Sequence, residues 1–189
     1  MKQLELIIKE LALPAGYYDR LTDLLEEKQL PQKEYLLKTG QVCTFIGVVE
    51  EGVLRSFREQ DGEEFISDFY VPGSFVTSYR SFLRKEPSVG AIQALEDTTL
   101  SSLSYANFEL LTNESPLWFK FGKHIADTLF VKKCVKETSL LKDSALERYR
   151  LLLKNYPGIE QHVAQYHIAS YLGIKPESLS RIKSLNIGQ

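Results

Sequence analysis

Lys175, Glu177, Ser178, Ser180, Arg181 and Lys183 crowd into one short stretch, interleaved with Leu179, Ile182 and Leu185. The three apolar residues recur at i, i+3 and i+6, which marks one face of a helix and leaves the polar six on the other. Short hydroxyls, a carboxylate and cations on one helical face match the chemistry of a DNA major groove. Arginine forks onto guanine O6 and N7, glutamate accepts from cytosine N4, and serine serves base edges or phosphates. An ordinary helical hairpin with a solvated face carries the same residue types, so the wider context has to decide.

The residues just before this stretch can position such a helix. Ile168, Ala169 and Leu172 fall at helical spacing. Gly173 follows, the residue type that ends a helix in a left-handed conformation. Ile174 can plug the corner, and Pro176 has the fixed φ and missing N–H that suit a first helical turn. The spacing predicts a helix-turn-helix with its recognition helix at about residues 175–185. Gln165 and His167, early in the first helix, are placed to touch phosphates.

Upstream, residues 117–141 form a long helix with more than one apolar side. Two stripes imply two partners. Trp118, Phe121, Ile125, Leu129 and Lys132 are assigned to a seam with the same helix of a second copy, and the other stripe to the barrel; the alternative is a helix wholly internal to one subunit. Ser144-Ala-Leu-Glu147 has capping-box spacing and predicts a new helix there. Residues 32–103 have a different texture: short Val/Ile/Phe/Tyr-rich runs at 34–37, 45–49, 53–58, 64–70, 91–95 and 99–103, with glycine turns between them. Asp61-Gly62 is a two-residue hairpin signal. Residues 75–83 predict a short helix inside a strand-rich barrel, and residues 1 to about 30 predict helix up to Pro31. The fold class is α+β: an antiparallel jelly-roll with flanking helices over 1–115, a long dimerisation helix over 116–142, and a helix-turn-helix domain over 143–189.

The chain of 189 residues has a net charge of −2, unevenly placed. Residues 1–119 hold 11 Lys/Arg and 19 Asp/Glu; residues 120–189 hold 12 and 6. An acidic front and a basic back suit a regulatory part joined to one that binds nucleic acid. No apolar run reaches the ~20 residues that span a bilayer. The N-terminus carries acids inside a short apolar pattern, unlike a signal peptide. Cys43 and Cys134 are too few for a disulfide framework or a cysteine-ligated iron–sulfur cluster. A cytoplasmic protein with reduced thiols is expected.

A strand-rich barrel, a long two-faced helix and a terminal helix-turn-helix, in this order, resemble the Crp/Fnr family of bacterial transcription regulators. Residues 168–182, Ile-Ala-Ser-Tyr-Leu-Gly-Ile-Lys-Pro-Glu-Ser-Leu-Ser-Arg-Ile, look like that family's DNA-reading element. Gly40, Gly52 and Pro72-Gly-Ser-Phe75 match the turns of a cyclic-nucleotide-binding barrel. The resemblance implies a homodimer with paired long helices, double-stranded DNA as partner, and RNA polymerase as a further one; no membrane is implied. It places a small-molecule effector site at Phe75, Val76, Thr77, Ser78, Tyr79, Ser88 and Val89.

The chain departs from the family at that site. The family's Phe-Gly-Glu segment aligns with Phe75-Val-Thr-Ser78, and its Arg-Ser-Ala segment with Pro87-Ser-Val89. Pro87 stands where an arginine would pair with a cyclic phosphate, so binding of cyclic AMP in the usual way is not expected. Pro176 likewise replaces the arginine that often opens the family's recognition helix, and no hairpin wing is expected after that helix. A metal enzyme on a jelly-roll needs inward histidines, and none falls between Gln32 and Leu103; no enzyme and no cofactor is expected. The alternative to a transcription regulator is a ligand-sensing or protein-interaction module with a vestigial DNA-binding domain.

Overall fold

The computed structural model describes residues 2–187, with side chains to Ser184. Leu185's side chain, expected on the last helix's apolar face, and Gln189, where a wing was expected to be missing, lie outside the described residues. Two short helices open the chain, α1 (Lys2–Glu10) and α2 (Ala15–Thr22). Eight strands follow: β1 (Leu25–Leu30), β2 (Tyr35–Leu37), β3 (Phe45–Glu51), β4 (Leu54–Gln60), β5 (Glu63–Tyr70), β6 (Phe75–Val76), β7 (Ala91–Ala94) and β8 (Thr98–Ser104). One helix, α3 (Tyr79–Arg84), lies between β6 and β7. The strands make two four-stranded antiparallel sheets, in the orders β1-β8-β3-β6 and β2-β7-β4-β5. They face each other across Ile46, Val48, Leu54, Tyr70, Val76 and Leu100.

Asp61 and Gly62 sit at φ 54° and 80° and close β4 onto β5 in the expected hairpin. The expectation of helix up to Pro31 is corrected. After α2 the chain turns and Leu25–Leu30 pairs along β8, from Leu25 opposite Leu103 to Leu30 opposite Thr98. A leucine spacing that fits a helix is overridden there by a partner strand some seventy residues away.

β5 ends its sheet and carries a bulge. Ser56 pairs with Asp68 and Phe57 with Ile66, so Ser67 is the extra residue. Ile66 and Phe69, an odd number apart, therefore both point out of the barrel.

After α4 (Tyr105–Glu114), the long helix α5 (Trp118–Lys142) crosses the barrel. Its buried stripe is Trp118, Phe121 and Ile125, at 2, 4 and 1% exposure. Trp118 packs on Tyr17 and Phe121 on Phe75. Leu129 packs against the same core, and Lys132 bonds Asp68 and the Phe69 carbonyl. The five residues expected between two copies thus all face this chain's own barrel. They form one continuous 3.6-residue stripe, and the barrel supplies the apolar surface that covers it. The opposite face carries Phe119, Phe130, Cys134 and Leu141 in the open, with Phe130 70% and Leu141 83% exposed.

Four more helices complete the described chain: α6 (Ala145–Asn155), α7 (Ile159–His162), α8 (Gln165–Leu172) and α9 (Pro176–Ile187). Ser144 and Glu147 form the expected capping box at the start of α6. These helices share a second core with the outer face of the barrel: Phe57, Ile66 and Phe69 meet Leu152, Tyr156 and Ile168.

Gly52, in the turn between β3 and β4, has φ +83°, and a Cβ there would lie 2.4 Å from the Asp97 carbonyl oxygen. Gly52→Ala should cost at least ~2 kcal/mol through strain and displaced backbone, read as a lower urea midpoint.

Candidate nucleic-acid interface and barrel pocket

Gly173 ends α8 at φ 66°. The Ile174 N–H bonds back to the Ala169 carbonyl, and the N–H groups of Ser178 and Leu179 bond to the Lys175 carbonyl. Pro176 therefore occupies the first turn of α9, where a missing N–H costs nothing. Ile168, Ala169 and Leu172 of α8 close on Leu179 and Ile182 of α9, all 9% exposed or less. That burial fixes the rotation of α9 and turns Glu177, Ser180, Arg181 and Ser184 to solvent, beside exposed Lys175. The Arg181 guanidinium lies 3.4 Å from the Ser178 hydroxyl. Gln165 is exposed in the first turn of α8, next to exposed Tyr166.

Two expected members of this surface are elsewhere. Lys183 turns inward and pairs with Glu160 of α7 at 2.7 Å. His167 is 4% exposed and faces the barrel. The Arg55 guanidinium of β4 donates to its Nδ1 at 3.0 Å, while the same guanidinium grips Glu64 and Gln93. Phosphate cannot reach it there. The third residue of α8 lies on the inner face because Ile168 and Ser170 of the same helix are drawn to β5; the Ser170 hydroxyl donates to the Glu64 carbonyl and accepts from the Ile66 N–H. Ser184 was missed, although its spacing, seven after Glu177 and three after Arg181, puts it on their face.

The expected effector residues do not converge on one cavity. Phe75 and Val76 belong to the barrel core, and Val89 is 54% exposed. Tyr79 stacks on Phe82. The polar members satisfy one another: Ser78 with Ser88 at 2.9 Å, Ser88 with the Gly90 carbonyl, Thr77 with the Phe45 carbonyl and with Cys43. The segment's cations are engaged at the surface, Arg80 and Arg84 with Glu86, and Lys85 over the Tyr105 ring.

Residues 27–115 match the family model of the cyclic nucleotide-binding domain. Among solved structures, the chain is similar to the c-di-GMP responsive global regulator CLP of Xanthomonas campestris, at 18% identity over 93% of each chain and a TM-score of 0.70. FixK2 of Bradyrhizobium japonicum gives 19% identity over 85% of this chain and 83% of that one, TM-score 0.72. A Crp/Fnr-family regulator from Eubacterium rectale gives 17% over 94% and 85%, TM-score 0.68. The chain has a Crp/Fnr-like fold built on a cyclic nucleotide-binding domain. No curated protein matches it.

Within this Crp/Fnr-like fold the residues present do not fit a cyclic nucleotide. Pro87 offers no charge to a cyclic phosphate, and the hydroxyls of Ser78, Thr77 and Ser88 already have partners inside the protein.

His167 gives the junction of α8 and barrel a pH dependence. Burial and the adjacent Arg55 hold its ring down at about 4, with Glu64 pulling the other way. The ordinary value is about 6.5. Between about pH 6.5 and 4 the unfolded chain binds a proton that the folded chain refuses, so stability rises with pH across that window and is lost as pH falls through it. The urea midpoint should drop from pH 7 to pH 5, and His167→Gln, which keeps an acceptor for Arg55, should drop less.

Proposed function

We propose that the protein is a homodimeric, sequence-specific DNA-binding transcription regulator, with α8 and α9 as its helix-turn-helix and α9 as the recognition helix. The observation that carries this reading is the division of α9: Leu179 and Ile182 are buried, while Lys175, Glu177, Ser180 and Arg181 stand clear of the protein. A face of arginine, glutamate and hydroxyls, held rigidly by a glycine-cornered partner helix, has the donors and acceptors that base edges answer. Exposed Gln165 and Tyr166 at the start of α8 are suited to the flanking phosphates. The surplus of cations after residue 119 supplies the sequence-independent attraction.

Dimerisation is assigned to the outer face of α5. Phe119, Phe130, Cys134 and Leu141 fall on one side of the helix, opposite the stripe that serves the barrel. A large apolar residue such as Phe130 at 70% exposure, in the middle of a long unpaired helix, supports a second copy lying alongside. Two recognition helices would then be presented to half-sites about one helical turn of DNA apart. The effect on transcription does not run through a cyclic nucleotide at Ser78 and Ser88.

Arg181→Ala should weaken binding to a selected duplex by ~1–3 kcal/mol and relax preference at one base position, measured by fluorescence anisotropy at fixed salt. Parent-like affinity would refute the assigned reading face. Phe130→Asp should convert the dimer to a monomer in sedimentation and abolish binding to a two-half-site duplex; a variant that stays dimeric places the seam elsewhere.

A further inference from the structure

Between α5 and α6, where the chain leaving β5 meets the helical half, lies a cleft of about 630 Å³. That size falls within the roughly 300–1,000 Å³ of small-molecule sites. Its walls are largely apolar, with Val71 from the barrel, Leu129 and Val135 from α5, and Leu151 and Leu152 from α6. The charged side chains that reach it are mostly cations: Lys132 and Lys136 from α5 and Arg148 from α6. The nearby carboxylates are committed. Asp68 holds Lys132 at 2.9 Å and the Tyr156 hydroxyl at 2.7 Å, and Asp127 holds Lys123.

Two of these cations have no carboxylate partner among the described residues: Arg148, whose guanidinium donates to the Leu172 and Asp143 carbonyls, and Lys136. Its ammonium donates to the carbonyls of Ser67 at 2.7 Å and Ile66 at 3.3 Å and sits 3.6 Å from the centre of the Tyr171 ring. Among the described residues no carboxylate lies within ion-pair distance of it. Burial and the neighbouring Lys133 and Lys132 press its pKa down to about 7, against a pull upward from Asp68. An anion beside the amine would favour its protonated form, and the carbonyls and ring around it supply no such charge. Ser139, three residues on along the same side of α5, gives a second and independent sign. It is 5% exposed, lines the cleft, and its hydroxyl has no hydrogen-bond partner among the described residues. A serine within a helix can give its proton to the carbonyl one turn back, and an unused buried hydroxyl is uncommon enough to call for a partner.

We propose that this cleft binds an apolar organic monoanion, a carboxylate on a hydrocarbon or aromatic body, with its head on Lys136 and Ser139 and its body along Val135, Leu151 and Leu152. Lys136, the cation beside Ser139, matches one negative charge, while Arg148 is held at the α6 wall by the Leu172 and Asp143 carbonyls. The apolar walls match a body without further polar groups, which sets this ligand apart from a nucleotide. The cleft is walled by the barrel, α5 and the helices that carry α9, so an occupant touches every part whose relative placement sets the reading helix. Only this regulatory consequence rests on the proposed DNA-binding function; the binding itself does not.

The test uses the full chain and decanoate as probe, with titration calorimetry as readout. Saturable 1:1 binding is expected, with decan-1-ol and decylamine each weaker by about tenfold or more, since a buried charge pair is at stake. Lys136→Met, which keeps the stem and removes the charge, should weaken decanoate by about tenfold. Leu151→Trp, at a half-exposed wall position, should block the cleft, and Ser78→Ala in the barrel should leave binding unchanged. Urea unfolding of each variant verifies that it is folded. Absence of saturable binding, equal binding of the alcohol, or parent affinity in both Lys136→Met and Leu151→Trp would overturn the site. Decanoate should also shift affinity for the selected duplex. A protein that binds decanoate as expected but no duplex at all would keep the site and refute the DNA-binding function.

Discussion

The last strand of the second sheet must not be left open. β5 has a free edge, and a bulge at Ser67 disturbs its ladder further, so its N–H and C=O groups need partners that no strand supplies. The chain answers from two directions. Lys132 and Lys136 of α5 reach the carbonyls of Phe69, Ile66 and Ser67, and Ser170 of α8 closes on Glu64 and Ile66 with both its donor and its acceptor. The long helix and the helical pair are therefore both seated on one strand. From this arrangement follow the shared apolar core, the inward placement of His167 and the outward placement of Arg181. Satisfying one edge sets the orientation of a helix nearly 120 residues further along the chain.

The sequence was most legible where a residue type has a single backbone use. Gly173, Asp61-Gly62 and the Ser144/Glu147 pair each announced a local geometry that the structure contains, because left-handed φ values and capping bonds depend on neighbours only. It was least legible where the deciding partner is distant. Leu25–Leu30 reads as a continuing helix by its leucines, yet pairing with β8 makes it a strand. His167 reads as a surface residue at the start of a helix, and only the arrival of Arg55 from the barrel buries it. On α5 the existence of two apolar faces was evident, but the stripe expected between two copies packs on this chain's own barrel. Spacing shows that a stripe exists and says nothing about which surface covers it.

The barrel segment illustrates a related point. Ser78, Thr77 and Ser88 match positions where a nucleotide-binding barrel has polar groups, and in this chain those groups bond to each other and to nearby carbonyls. With no cation facing inward from Phe75–Val89, the segment has become part of the packing. The half-buried cation Lys136 lies instead at the meeting point of barrel and helices, where its ammonium sits over the Tyr171 ring and donates to β5 carbonyls.

Only Asp143 and Ser144 separate the end of α5 from the start of α6. Both have extended backbone, Ser144 is locked into the cap of α6, and the Asp143 carbonyl is held by Arg148. Such a joint has almost no slack. A tether of this kind behaves as a crank: a few degrees of torsion at two residues sweep the far end of the helical half through an arc, with no stretch of loose chain to absorb the motion.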